Sequence, residues 1–256
     1  MCQSIRKWDQ HSGSGQGLKD LWISRVFGRG EFYENPRSRM GRIRIYKTTG
    51  TMKWKVCGMR DLDNIAALSE LQPDYMGFIF WAPSSRYISS STPTLEANIK
   101  KTGVFVDASI EYIQSTVESH NLKAVQLHGK ETPAYCKLVQ NFGVEVIKAF
   151  SVKGTFDFTT LTPYEDHCNY YLFDTKGALP GGNGYAFDWT LLNDYPSNKP
   201  FFLSGGIGQD QIAEIKALLK TDLPLYAIDV NSKFETAPAL KEIDALKQFK
   251  KELYEL

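Results

Sequence analysis

The chain has 256 residues with 42% hydrophobic and 23% charged side chains, an ordinary globular balance large enough for one sizeable domain. No window approaches eighteen consecutive apolar residues, which excludes a membrane-spanning helix, and a formal net charge of +1 argues against nucleic acid or a membrane surface as the partner of the whole chain. That average hides a split. Residues 1–51 carry ten Lys+Arg against four Asp+Glu, a net of +6, and the remaining 20 Lys+Arg and 25 Asp+Glu leave −5 on residues 52–256.

The basic segment 1–51 has a Ser/Gly run at 12–17 and no steady period of 3.6 or 2, so it is expected to be a disordered N-terminal extension. Three readings compete for it: an artefact of an early start codon with Met52 the natural start, a real but dispensable extension, or a transit peptide or basic arm. The first is preferred; Asp9, Asp20, Glu31 and Glu34 count against the last.

From Met52 the chain alternates. Short apolar runs rich in Val, Ile, Phe and Tyr at 53–59, 75–80, 101–107, 123–129, 144–150, 170–176, 200–206 and 224–231 read as eight buried strands. Amphipathic segments at 63–71, 109–120, 133–142, 209–220 and 238–253 read as helices, with weaker, short crossovers after strands two, five and six. Eight βα units in residues 52–256 predict an α/β protein, a parallel eight-stranded (β/α)8 TIM barrel. A doubly wound open sheet is the alternative, disfavoured because no GxGxxG follows the first strand.

Cys2, Cys57, Cys136 and Cys168 include no CxxC pair, and His11, His120, His128 and His167 form no HExxH. A metal site therefore has little support, and the cysteine usage suits a reduced, cytoplasmic setting.

In this barrel class the active site lies at the C-terminal ends of the strands. Polar residues fall there: Cys57 and Arg60 after strand one, Arg86 after strand two, Asp107 after three, Gln126 and His128 on four, Asp174 on six and Asp229 on eight. Residues 52–256 contain two arginines, Arg60 and Arg86, both in predicted βα loops. Arginine suits planar recognition of carboxylate or phosphate; Arg60, beside the N-cap candidate Asp61, is equally well explained by helix entry. The turns at 181–184 (including Gly182), Gly205–Gly206 and Asn231–Ser232 can present backbone N–H groups to a phosphate, or can simply be tight turns. Cys57 and Asp174 face each other across the ring and suit a proton-transfer isomerisation. The plain alternatives are a buried cysteine packed as a small hydrophobe and an aspartate capping a loop. Cys136 and Cys168 read as structural, and His128 either lines the site or simply ends its strand.

The motifs KVCGMR (55–60), GFIF with SSRYIS (77–89), GVFVD (103–107), VQLHG (125–129), FDTK (173–176), GGNGYAFDW (181–189), SGGI (204–207) and DVNSKFE (229–235) run through the body in order. Together they resemble the phosphoribosylanthranilate isomerases of tryptophan biosynthesis. The resemblance implies a cofactor-free Amadori rearrangement of N-(5-phosphoribosyl)anthranilate. Within it, Cys57 is the general base, Asp174 the general acid, and Arg86 the holder of the anthranilate carboxylate. Gly206 and the Asn231–Ser232 turn bind phosphate, and the 181–184 loop closes over the ligand. A free thiol is mostly protonated at neutral pH, so Cys57 needs a positive neighbour, for which Arg60 and Arg86 are the candidates. Asp174 must keep a proton to donate.

Ser85, Asn183, Lys233–Phe234 and Ala239 depart from the commoner family pattern, all at loop positions. A histidine-pathway aldose–ketose isomerase uses two aspartates, and Cys57 argues against it. A barrel that binds a phosphorylated ligand without catalysis is disfavoured because Cys57, Asp174 and Arg86 are all retained. The expected partner is a small phosphorylated substrate, with no nucleic acid and no membrane, and the chain is expected to be a monomer or a homodimer.

Overall fold

A computed structural model describes residues 52–175 and 186–255. The segment 1–51 and the 181–184 turn with Gly182 lie outside the described residues. Eight parallel strands close into a barrel in sequence order: β1 (Lys53–Val56), β2 (Tyr75–Ile79), β3 (Lys100–Phe105), β4 (Ala124–Leu127), β5 (Glu145–Val152), β6 (Tyr170–Thr175), β7 (Phe201–Leu203) and β8 (Leu225–Val230). Strand β1 pairs with β8 in parallel register, Lys55 opposite Asp229, and this pairing shuts the ring.

The helices that face the ring are α1 (Leu62–Ser69), α2 (Ile110–His120), α3 (Pro133–Gln140), α4 (Ile212–Leu218) and α5 (Ile243–Tyr254). Asp61, Ser109 and Thr132 cap the first three, each accepting from a backbone N–H three residues on. The crossovers after β5 and β6 contain 3-10 turns, Phe158–Tyr164 and Trp189–Asp194, and none of the described helices lies between β2 and β3. These abbreviated crossovers fit eight units into a short chain.

Two expectations need correction. The helix expected from residue 209 opens with a 3-10 turn, Gln209–Gln211, before α4. The helix expected from residue 238 starts at Ile243; ahead of it, β9 (Glu235–Ala237) and β10 (Leu240–Lys241) form a small antiparallel pair. Asn64 on α1 fixes that departure: its side chain accepts from Lys241 N at 2.7 Å and donates to Lys241 O at 2.8 Å. Backbone groups engaged this way cannot serve a helical turn.

The barrel interior is graded. Tyr75, Ala124, Ile147, Leu172, Phe202 and Ala227 pack into an apolar floor. Two residues further along their strands, Gln126 and Asp229 join Lys55 as a buried polar layer. A further step along β1 and β4 puts Cys57 and His128 at the pocket, which Asp174, two residues beyond Leu172, also lines. The larger apolar cluster includes the buried side chains of Trp54, Phe78 and Phe105 from the strands and Phe249 from α5. Among the described residues no helix is long and apolar enough to cross a membrane.

Candidate active site

The pocket opens where the strands end. It is lined by Cys57, Arg86, His128, Asp174, Gly205, Gly206, Asn231 and Ser232, drawn from loops and strand ends more than 170 residues apart in sequence. Parallel strands carry these side chains to one face because each runs in the same direction. Of the sequence-derived candidates, Arg60 and Asp107 do not line it. Arg60 donates from Nη1 to Ser85 O at 3.0 Å in an exposed setting. The Asp107 carboxylate accepts from Lys130 N at 2.6 Å and so braces the loop after β4.

Cys57 is 5% exposed, and its backbone N–H donates to Val230 O at 2.9 Å. Burial pushes its thiol above the usual value of 9.0, against the opposing pull of Lys55 and Lys241. The positive neighbours of the thiol are thus these two lysines, with the expected Arg86 also interacting with it, while the expected Arg60 points elsewhere. Lys55 Nζ is fully buried and donates to Asp229 Oδ2 at 2.7 Å and Gln126 Oε1 at 2.8 Å. Burial disfavours its charge, but Asp229 and Cys57 hold it above the usual lysine value.

A hydrogen-bonded line leads from Lys55 to Asp174. Lys55 can only donate, so Gln126 turns its carbonyl oxygen to it and its amide N–H₂ to His128 Nδ1, 2.8 Å away. His128 Nδ1 is therefore the acceptor, and Nε2–H donates to Asp174 Oδ2 at 3.1 Å. Asp174 Oδ1 accepts from Thr175 N at 3.0 Å. The Asp174 side chain is held by two donors, with His128 as its orienting partner.

Arg86 is held equally firmly. Nε donates to both Glu235 oxygens at 2.9 and 3.0 Å, and Nη2 donates to Glu235 Oε2 at 2.6 Å. Buried Lys241 donates to Glu235 Oε1 at 2.5 Å and to Asn231 Oδ1 at 2.7 Å. Two cations around one carboxylate leave the cluster net positive, and Nη1 is the edge of Arg86 that Glu235 does not use. Gly205 and Gly206 adopt φ of 90° and 66°, a region open to glycine, and Gly205 passes against the Thr175 backbone where a Cβ would collide. Gln126 was placed at this face from the sequence; Lys55, Glu235 and Lys241 were not. The one available signal was parity: Lys53, Lys55 and Cys57 alternate onto one face of their strand.

Among the described residues, no group of three or more His, Cys, Asp or Glu is placed to hold a metal ion. The chemistry on offer is that of a thiol, a carboxyl and the lysine and arginine side chains around them. Barrel and pocket together define a (β/α)8-barrel enzyme of the sugar-phosphate isomerase class. Residues 54–252 match the family model described as N-(5'-phosphoribosyl)anthranilate (PRA) isomerase. A curated N-(5'-phosphoribosyl)anthranilate isomerase of Phocaeicola vulgatus is 41% identical over 196 residues, 76% of this chain and 94% of that one. The solved phosphoribosyl anthranilate isomerase of Thermotoga maritima is similar with a TM-score of 0.70 and 30% identity, over 80% of this chain and 100% of that one. Another solved enzyme of this kind holds reduced 1-(o-carboxyphenylamino)-1-deoxyribulose 5-phosphate; it matches with a TM-score of 0.67 and 28% identity, over 80% of this chain and 100% of that one. The chain belongs to the phosphoribosylanthranilate isomerase family.

Proposed function

We propose that the chain converts N-(5-phosphoribosyl)anthranilate to 1-(2-carboxyphenylamino)-1-deoxyribulose 5-phosphate, with Asp174 as general acid and Cys57 as general base. The observation that carries these roles is the placement of both side chains on the walls of one pocket, with a cationic cluster at one side and glycine turns at another. Asp174 gives its proton to the furanose ring oxygen as the C1–O bond breaks, and the anilino nitrogen lone pair completes a protonated Schiff base. The Cys57 thiolate then removes the proton from C2, and the C–H electron pair becomes the C1=C2 bond of an enolamine. Protonation at C1 with loss of the C2 hydroxyl proton gives the ketone. All atoms stay in the molecule, so neither oxidant nor cofactor enters.

Geometry supports the remaining assignments. Arg86 offers Nη1, the nitrogen that Glu235 leaves free, to the anthranilate carboxylate as a charge-assisted donor. Gly205, Gly206, Asn231 and Ser232 supply backbone N–H groups for the phosphate. His128 orients Asp174 without itself moving a proton in these steps. Lys55 and Lys241 favour the thiolate that a dry site would otherwise suppress. A thiolate of raised pKa is scarcer at neutral pH and correspondingly a stronger base.

The test is turnover of freshly generated phosphoribosylanthranilate, followed by loss of anthranilate-type fluorescence. Folded protein without turnover would defeat the reading. Cys57→Ala and Asp174→Asn are each expected to lower kcat by at least about 100-fold; near-normal turnover by either would remove its assigned role.

A further inference from the structure

Lys148 and Glu131 form a second buried ion pair that the proposed chemistry does not use. Lys148 Nζ and Glu131 Oε2 lie 3.0 Å apart, with side-chain exposures of 3% and 1%. Ile147 and Ala149 on β5 face the barrel interior, so Lys148 between them faces away from it. Neither member of the pair lines the pocket. Burying two charges costs about as much as their attraction returns, so stability alone does not account for them. Their hydrogen bonds point to another role.

The pair holds the backbone on both sides of His128. Lys148 Nζ donates to Leu127 O at 3.2 Å and to Gly129 O at 2.8 Å, with a further bond to Ala149 O at 3.1 Å. Glu131 accepts from Gly129 N at 3.0 Å and from Asp107 N at 3.0 Å. His128 N itself donates to Phe105 O at 2.8 Å. The peptide before His128 and both polar backbone groups of Gly129 are therefore fixed, and with them the direction in which the imidazole leaves the chain. That direction matters because His128 Nε2 reaches Asp174 Oδ2 at 3.1 Å, toward the long end of the N–H···O range. A retreat of about half an ångström would break the bond.

Resting on the isomerase reading above, we propose that Lys148, together with Glu131, is a positioning residue for the general acid. It fixes the backbone at 127–129, from which His128 holds Asp174 toward the ring oxygen. The pair acts on the proton transfer alone, because it touches neither the carboxylate-binding nor the phosphate-binding groups. Its loss lowers kcat and spares KM.

The experiment is a double-mutant cycle read in the turnover of phosphoribosylanthranilate. Lys148→Met/Glu131→Gln removes the ammonium without leaving a buried charge unpaired, and the glutamine oxygen can still take a backbone N–H. The two substitutions are made in the wild-type and His128→Ala backgrounds, with urea unfolding to establish that each protein is folded. In the wild-type background kcat is expected to fall by about tenfold or more, with KM within about threefold. In the His128→Ala background the same substitutions are expected to change kcat by less than about twofold. Should they prevent folding, Glu131→Asp keeps both charges and shortens only the reach to Gly129 N and Asp107 N; it is expected to show the same dependence on background. An unchanged kcat in the wild-type background, a rise in KM as large as the fall in kcat, or an equal loss in both backgrounds would overturn the proposal while leaving the isomerase reading intact. Absence of turnover by the wild type would overturn both.

Discussion

Lys55 Nζ and Asp229 Oδ2 lie 2.7 Å apart, at directly opposed positions of β1 and β8, with side-chain exposures of 0% and 4%. Their ion pair closes the barrel ring one layer beneath Cys57. Among the described strands, it joins the barrel pair farthest apart in sequence to the start of the hydrogen-bonded line that ends on Asp174. Breaking one side of such a pair strands the other charge in a dry interior. Lys55→Met is therefore expected to cost about 3–5 kcal/mol of stability, and Lys55→Met/Asp229→Leu to recover much of it. Urea unfolding of the two variants checks this; a single variant as stable as the double one would refute it.

The same pair marks what the sequence conceals. Strand ends are legible from local pattern, so Cys57, Arg86 and Asp174 could be placed on one face before any coordinates. Asp229 was visible there too, but nothing local told what it faced: its partner is 174 residues away and only the register of the closing strand pair identifies it. Glu235 and Lys241 were hidden for a different reason. The apolar spacing of 238–253 suits a helix, and the Asn64 clamp that turns its first residues into a hairpin is a tertiary contact between residues 177 positions apart. Arg60 shows the converse: arginine in the expected loop was a fair sign of anion binding, but its guanidinium satisfies a neighbouring carbonyl.

The burial of Cys57 has a measurable consequence. With its pKa above 9.0, the thiol of the ligand-free enzyme is protonated at neutral pH, and thiolate accumulates as the pH rises past that value. The alkylation rate of Cys57 by iodoacetamide, read by mass spectrometry of its peptide, is expected to be low at pH 7 and still climbing at pH 9. A plateau below pH 8 would mean that the lysines outweigh burial. The linkage to stability has the opposite slope. A thiol whose folded pKa exceeds its unfolded value retains its proton longer when folded, so its contribution declines once the pH passes the unfolded value. Cys57→Ala should narrow the loss of stability between pH 8 and pH 10.

Gly77 on β2 provides the clearance for the thiol. A Cβ built there would stand 2.7 Å from Cys57 Sγ and 3.0 Å from Cys57 Cα. The sulfur can swing aside, but the Cα belongs to the barrel wall, so Gly77→Ala must displace the base or the strand. We expect a folded barrel with kcat reduced by about tenfold or more, since small misplacements of a reacting group are costly. KM should move less. Unchanged kcat with normal thermal stability would show that the pocket absorbs the methyl group.

Glu235 is expected to act on binding more than on chemistry. It holds Arg86 by Nε and Nη2 and also accepts from Lys241, so losing its charge frees the guanidinium and leaves two cations facing each other. Despite burial, Arg86 and Lys241 hold its carboxyl below the ordinary 4.5. A carboxyl with a depressed folded pKa contributes stability that is complete above its unfolded value and is lost as the pH falls through the folded one. Glu235→Gln is thus expected to raise KM by about tenfold, roughly one charge-assisted hydrogen bond, while kcat stays within about threefold. The stability gap between wild type and variant should be full at pH 7 and at pH 5, then close as the pH drops below 4.5. Steady-state kinetics at pH 7 and urea titrations at each pH provide the readouts. A fall in kcat as large as the rise in KM would place Glu235 in the chemical step, and a stability gap that does not change with pH would remove its ion pairs as the cause.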